Sequence, residues 1–141
     1  MTNPPDINAL QAGDALPVRE FRPDIVQMFF YNAALWNAHR IHFDHAYATQ
    51  AEGLPGLVIA GPLLGDYLTQ VALEWLGDAG RLVSVEYSNR RVSYVGETLR
   101  ATGRVKSVDR EKRESVLELS ILNEAGEVTT PGTAVVRFSG G

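Results

Sequence analysis

All three histidines of the 141-residue chain, His39, His42 and His45, fall in the stretch Trp36-Asn-Ala-His-Arg-Ile-His-Phe-Asp-His45. Imidazole exchanges protons near neutral pH, so a histidine acting as general acid or base is the economical chemistry here, with Asp44 and Asp66 as the carboxylates nearby. A metal centre is the rival, taking the three imidazoles and Asp44 as ligands. Three-residue steps bring side chains together only in a helix, whereas residues 37–44 read as a helix end and a loop, so no metal is expected. Other nucleophiles are poorly represented. There is no cysteine, no G-x-S-x-G elbow, and every serine lies in the later, strand-like half or the tail.

The elements on either side must hold this stretch. After an irregular lead-in over residues 1–15, Val18 and Phe21 alternate with charged neighbours and predict a short strand from Leu16 to Phe21. Pro23 suits the first turn of a helix running to Trp36, with acidic Asp24 at its positive end. Ile25, Phe29, Ala33 and Trp36 line one side and Val26, Phe30 and Ala34 the next. So wide an apolar surface predicts either a deeply buried helix or one that also walls an acyl pocket or a subunit contact. Past the histidines, Ala46 to Gln50 allows one further helical turn, which Glu52-Gly-Leu-Pro-Gly56 ends. Gly61-Pro62 then opens the best-signalled helix, with Leu64, Leu68, Val71, Ala72 and Trp75 at helical spacing and Gly77 as C-cap.

Beyond Gly80 the pattern is strand. Val83, Val85 and Tyr87 alternate with polar residues, and runs around Leu99–Val105, Leu117–Ile121 and Ala134–Phe138 follow, with turns at 109–114 and 123–126. Strand, helix, long helix and a four-strand antiparallel meander make an α+β order in one domain, residues 1–141, with the long helix on one face of the sheet. No G-x-G-x-x-G follows a strand, so a nucleotide fold is not expected.

A chain of this length buries about two-thirds of its unfolded surface, enough for one ordinary core. Its net charge of −4 offers no field for nucleic acid. The N-terminus lacks the basic start and apolar core of a signal peptide and no apolar run approaches a membrane span, so a cytoplasmic protein with no membrane partner is the expectation.

The residues also carry a family likeness. Asn37-Ala-His-Arg-Ile-His-Phe-Asp-His-Ala-Tyr-Ala48 resembles the hydratase motif of the MaoC-like dehydratases, the (R)-specific enoyl-CoA hydratases, whose common form is Gly-Asp-x-Asn-Pro-Ile/Leu-His-x-Asp. It is closer to the branch of hydroxyacyl-thioester dehydratase type 2-like and mesaconyl-CoA hydratase-like proteins. There His-Arg replaces Asn-Pro, and a second block follows that here reads Glu52-Gly-Leu-Pro-Gly-Leu-Val-Ile-Ala-Gly-Pro-Leu63. The likeness runs from about Phe21 through Tyr94-Val-Gly-Glu97.

It implies a hot-dog fold, an antiparallel sheet wrapped around a long central helix, with acyl-thioester sites at the interface of a homodimer or higher homo-oligomer. A heteromer with a second hot-dog chain is the other assembly it allows. Carried over by position, His42 is the catalytic histidine and the Gly61 backbone N–H holds the thioester carbonyl, with Pro62 fixing the turn. Glycine permits close approach, and a helix N-terminus favours charge developing on an enolate oxygen. His39, Arg40 and Pro62 fall among the substrate-binding positions, and Arg90 and Arg91 are candidate contacts for CoA phosphates. Asn37 stands where the common motif has its catalytic aspartate, and Ala60 where the branch usually has histidine. An amide can orient a water but not accept its proton, so His42 is left as the main base.

The activity implied is addition or removal of water across the 2,3 double bond of an enoyl-CoA. One donor and one acid/base suffice for this chemistry, and no cofactor is required. An acyl-CoA thioesterase, and a non-catalytic or half-active subunit of a heteromeric dehydratase, are the rival readings.

Overall fold

A computed structural model describes residues 3–140. In chain order it has β1 (Arg19–Phe21), α1 (Ile25–Ala34), a 3-10 turn (Arg40–His42), a π turn (Tyr47–Ala51), α2 (Gly61–Leu76), a 3-10 turn (Gly77–Ala79), β2 (Gly80–Tyr87), β3 (Leu99–Asp109), β4 (Glu114–Leu122) and β5 (Val128–Phe138). The strands form one antiparallel sheet in the order β1-β3-β4-β5-β2. It curls around α2, which packs against β2, β3, β4 and β5. This is the hot-dog arrangement that the resemblance implied.

The helix is central because its apolar residues recur all round. Leu63, Leu64, Tyr67, Leu68, Val71, Ala72 and Leu76 are buried, while Asp66, Gln70, Leu73 and Glu74 lie on the exposed side. Facing them, β4 buries every second residue, Ser115, Leu117, Leu119 and Ile121, and β3 and β5 supply Leu99, Ala101, Val105, Ala134 and Val136. Phe21 of β1 stacks on Tyr67 with ring centroids 3.7 Å apart. Gly77 ends the helix with a φ of 52°, a left-handed conformation that glycine adopts without cost.

Several expectations need correcting. The four later strands are not a meander: only β3, β4 and β5 pair in sequence, while β2 crosses to the far edge and pairs with β5. Residue alternation reports that a strand exists, but not which strand it joins, and the segment 88–98 is long enough to carry the chain across. The first strand is shorter than Leu16–Phe21, with Ala15 making only an isolated bridge to Arg104. Pro23 lies outside α1, and Asp24 is its N-cap, its Oδ1 accepting the Gln27 N–H at 2.8 Å. The lead-in is irregular, as read, yet it buries Ile7 and Leu10 and bonds to β3 through Gly13 N–H to Val105 O, and the buried Leu16 just after it continues this with its N–H to Gly103 O.

The largest difference is α1. Only Met28 and Asn32 of the helix are buried, while Val26, Phe29 and Phe30 are 58%, 56% and 66% exposed. The deeply buried reading is therefore wrong for the single chain: α2 already fills the curl of the sheet, and α1 lies outside it.

Candidate functional site

The histidine stretch owes its shape to the end of α1. Trp36 N–H donates to Ala33 O and Asn37 N–H to Asn32 O (2.8 Å), the paired bonds of a Schellman turn, with Trp36 at the left-handed position, φ 56°. A residue with a Cβ costs about 1–2 kcal/mol in that conformation. Trp36 is also 90% exposed, so the two capping hydrogen bonds, not packing of the indole, offset the strain. The reversal aims the next segment back toward α2. Asn37 Oδ1 accepts the His39 N–H at 3.1 Å, and Asp44 caps the following turn by accepting the Tyr47 N–H at 3.0 Å.

Asp44 is thereby engaged away from the histidines. The Tyr47 N–H, then the Arg40 guanidinium, hold its carboxyl below the usual carboxylate range. Arg40 donates to it through Nε (3.0 Å) and Nη2 (2.8 Å) and stacks 4.3 Å from the Tyr47 ring centroid. Asp66 likewise has another partner, accepting the Tyr31 hydroxyl at 2.8 Å. Partial burial, then this carboxylate, push the Tyr31 phenol above its ordinary range. Both carboxylates that the sequence offers as helpers for histidine are committed elsewhere.

His42 is half-buried, and its Nδ1 lies 2.7 Å from Val58 O. A carbonyl only accepts, so Nδ1 carries a proton, and in the neutral ring the lone pair is on Nε2. Val58 is itself clamped, its N–H donating to Ile41 O at 3.0 Å and its backbone bridging Tyr94, while Ile59 N–H donates to Ser93 O at 2.8 Å. Three residues further on, Gly61 begins α2. Its N–H has no partner among the described residues, Pro62 has none to offer, and the Leu63 N–H is bound to Ala60 O. The 16-residue helix therefore points its positive end, through Gly61, at the space beside His42.

That space is a cavity of about 210 Å³ lined by His42, Val58, Gly61, Asn89, Arg90 and Ser93, among others. Of the residues singled out from sequence, His42, Gly61, Arg90 and Arg91 are brought together here. His39 lies outside this lining but beside it, its ring centroid 5.8 Å from that of His42. Asn37 lines a neighbouring apolar cavity of about 230 Å³ with Phe29, Asn32, Ala33, Trp36 and Phe43. Arg91 pairs with Glu127 at 2.6 Å, leaving Arg90, held only by Ser88 at 3.4 Å, as the less committed arginine. No group of three His, Cys, Asp or Glu side chains among the described residues is placed to hold a metal ion.

Two lining residues escaped the sequence reading. Ser93 is 1% exposed, and its hydroxyl has no hydrogen-bond partner among the described residues. Asn89 packs against Gly61 and accepts the Thr130 hydroxyl at 3.2 Å. Neither sits in a recognisable motif; both arrive through the crossing segment 88–98. The Tyr94-Val-Gly-Glu97 block is a turn in that segment, closed by Tyr94 N–H to Glu97 Oε2 at 2.6 Å, with Gly96 left-handed at φ 97°.

The model of the family described as hydroxyacyl-thioester dehydratase type 2 matches residues 3–95, two-thirds of the chain. The chain belongs to that family. It is 48% identical over 50 residues to mesaconyl-C(4)-CoA hydratase of Chloroflexus aurantiacus, covering 36% of this chain and 18% of that protein. It is also 48% identical over 44 residues to the mitochondrial hydroxyacyl-thioester dehydratase type 2 of Schizosaccharomyces pombe, covering 31% and 15%. Those matches span less than a fifth of either relative. Among solved structures, the (R)-hydratase of A. caviae involved in PHA biosynthesis superposes with a TM-score of 0.85 at 20% identity, covering 93% of this chain and 98% of that one. At that identity the likeness speaks for the fold. No helix of the dehydratase-family chain described here is long and apolar enough to cross a membrane.

Proposed function

We propose that the protein adds water to, or removes it from, the 2,3 double bond of an enoyl thioester, with acyl-CoA as the substrate class. The observation that carries this reading is the pairing, in one cavity, of a histidine whose Nε2 lone pair is left free with an unpartnered N–H at a helix N-terminus. In the hydration direction His42 Nε2 takes a proton from water as its oxygen bonds to C3. The electron pair of the double bond moves toward the thioester oxygen, where Gly61 N–H and the positive end of α2 stabilise the charge. The imidazolium then returns a proton to C2, so that one group serves as base and acid and water adds to one face. Asn37 acts at one remove, holding the His39 N–H and so the loop that carries both histidines. Arg90 is the cation that this reading assigns to a CoA phosphate, since Arg40 and Arg91 are paired with Asp44 and Glu127.

Crotonyl-CoA distinguishes the readings directly. The expected result is loss of its enoyl-thioester ultraviolet absorbance without release of thiol; thiol release in its place would make the protein a thioesterase. Activity that appears only on adding a second hot-dog chain would make it a subunit of a heteromeric enzyme.

The reading includes self-association, at least to a dimer. Val26, Phe29, Phe30 and Trp36 form an exposed apolar face, and β2 is an edge strand with an unpaired side. Both are liabilities that a second copy would cover. Light scattering at micromolar concentration is expected to show a species heavier than the 15.4 kDa chain. A stable single chain that still hydrates crotonyl-CoA would refute the assembly.

A further inference from the structure

A helix N-terminus usually presents several free N–H groups, but of the first three residues of α2 only Gly61 has one to offer. Pro62 has no N–H and Leu63 N–H is bound to Ala60 O at 3.0 Å, which leaves the Gly61 N–H unpartnered beside the cavity that Gly61 lines. Oxyanion charge is best held by more than one preorganised donor. The missing donor is close by. A Cβ on Gly61 would overlap Asn89 Nδ2 and lie 3.3 Å from Asn89 Cγ, which places the side-chain amide directly over the helix end. Asn89 Oδ1 accepts the hydroxyl of Thr130, which is fully buried in β5, at 3.2 Å, and Nδ2 is the amide atom nearer Gly61, since Oδ1 lies 4.0 Å from the position of such a Cβ. Nδ2 has no acceptor among the described residues. The backbone on both sides is pinned to β5, Ser88 N–H to Pro131 O at 3.1 Å and Arg90 N–H to Thr129 O at 2.9 Å, so the amide is held in place before any ligand arrives.

We propose that Asn89 Nδ2 is a second donor to the thioester oxygen, acting beside the Gly61 N–H. The inference rests on the hydratase reading for its reaction, though not for its geometry. Glycine at position 61 leaves room for this amide, because a Cβ there would push Asn89 off the helix end.

Asn89→Asp tests it. The aspartate still accepts from Thr130, so the local fold is kept while a donor becomes a negative charge. With crotonyl-CoA, kcat is expected to fall by about 100-fold or more with KM little changed, and Asn89→Ala, which adds no charge, by about 10-fold or more. Butyryl-CoA, which has no double bond to hydrate, supplies a readout independent of turnover: its bound carbonyl stretch should lie lower in the wild-type protein than in either variant. Wild-type kcat and an unmoved band in both variants would overturn the donor role and leave the hydratase reading standing. So would a loss of rate that tracks a fall in Tm while the band stays put. A wild-type protein that does not hydrate crotonyl-CoA, yet shifts the butyryl-CoA band through Asn89, would uphold the donor and overturn the hydration reading.

Discussion

His42→Ala is expected to lower kcat for hydration of crotonyl-CoA by about two to four orders of magnitude, the usual contribution of a positioned acid/base. No other group in the cavity can take the proton. Asp44 is bound to Arg40 and the Tyr47 N–H, Asp66 to the Tyr31 hydroxyl, and Asn37 is an amide. The fold should survive, because the imidazole is only half-buried and its single observed bond goes to a carbonyl that can turn to water. Circular dichroism and Tm should therefore match wild type while turnover collapses. A variant that keeps wild-type turnover would move the proton chemistry to His39, the neighbouring ring.

Leu68→Ala is expected to produce the largest loss of stability. Leu68 is fully buried near the middle of α2, where the helix meets the sheet, and its Cδ1 reaches the backbone of Gly132 on β5. The surrounding strands are tied to one another by their ladders and cannot close on the gap, so the lost transfer energy adds to the cost of a cavity, about 2–5 kcal/mol together. That is a large part of the roughly 5–15 kcal/mol that holds a domain of this kind folded. Urea denaturation should show a lower midpoint at an unchanged m-value. A midpoint within a few tenths of a molar of wild type would mean that α2 is not the hub of the core. The two variants divide cleanly: one should abolish chemistry and spare the fold, and the other should weaken the fold at a position outside the cavity lining.

Local chemistry was legible in the sequence. The helix α2, with its start at Gly61-Pro62 and its stop at Gly77, follows from a 3.6-residue apolar repeat and from backbone preferences that act over a few residues. The strands β2–β5 follow from alternation, and the concentration of all three histidines before a helix start identified where to look for a site. Sequence position alone also paired His42 with Gly61 through the family motif. Pairing partners were not legible, because alternation has the same period whichever strand lies alongside; hence β2 was placed in a meander when it joins β5.

What only the tertiary structure decided follows from that one crossing. Taking β2 to the far edge forces segment 88–98 over the N-terminus of α2, and this alone brings Asn89 to Gly61 and to Thr130, a residue 41 positions away. The proton on His42 was settled in the same way, by a carbonyl at Val58 that no local pattern connects to it. The apolar breadth of α1 was visible in the chain, but whether it faced inward depended on how much of the sheet's concave side α2 had already filled. Short-range preferences act within a turn or a hairpin. Whatever depends on two distant segments competing for the same surface is decided only when the chain closes on itself.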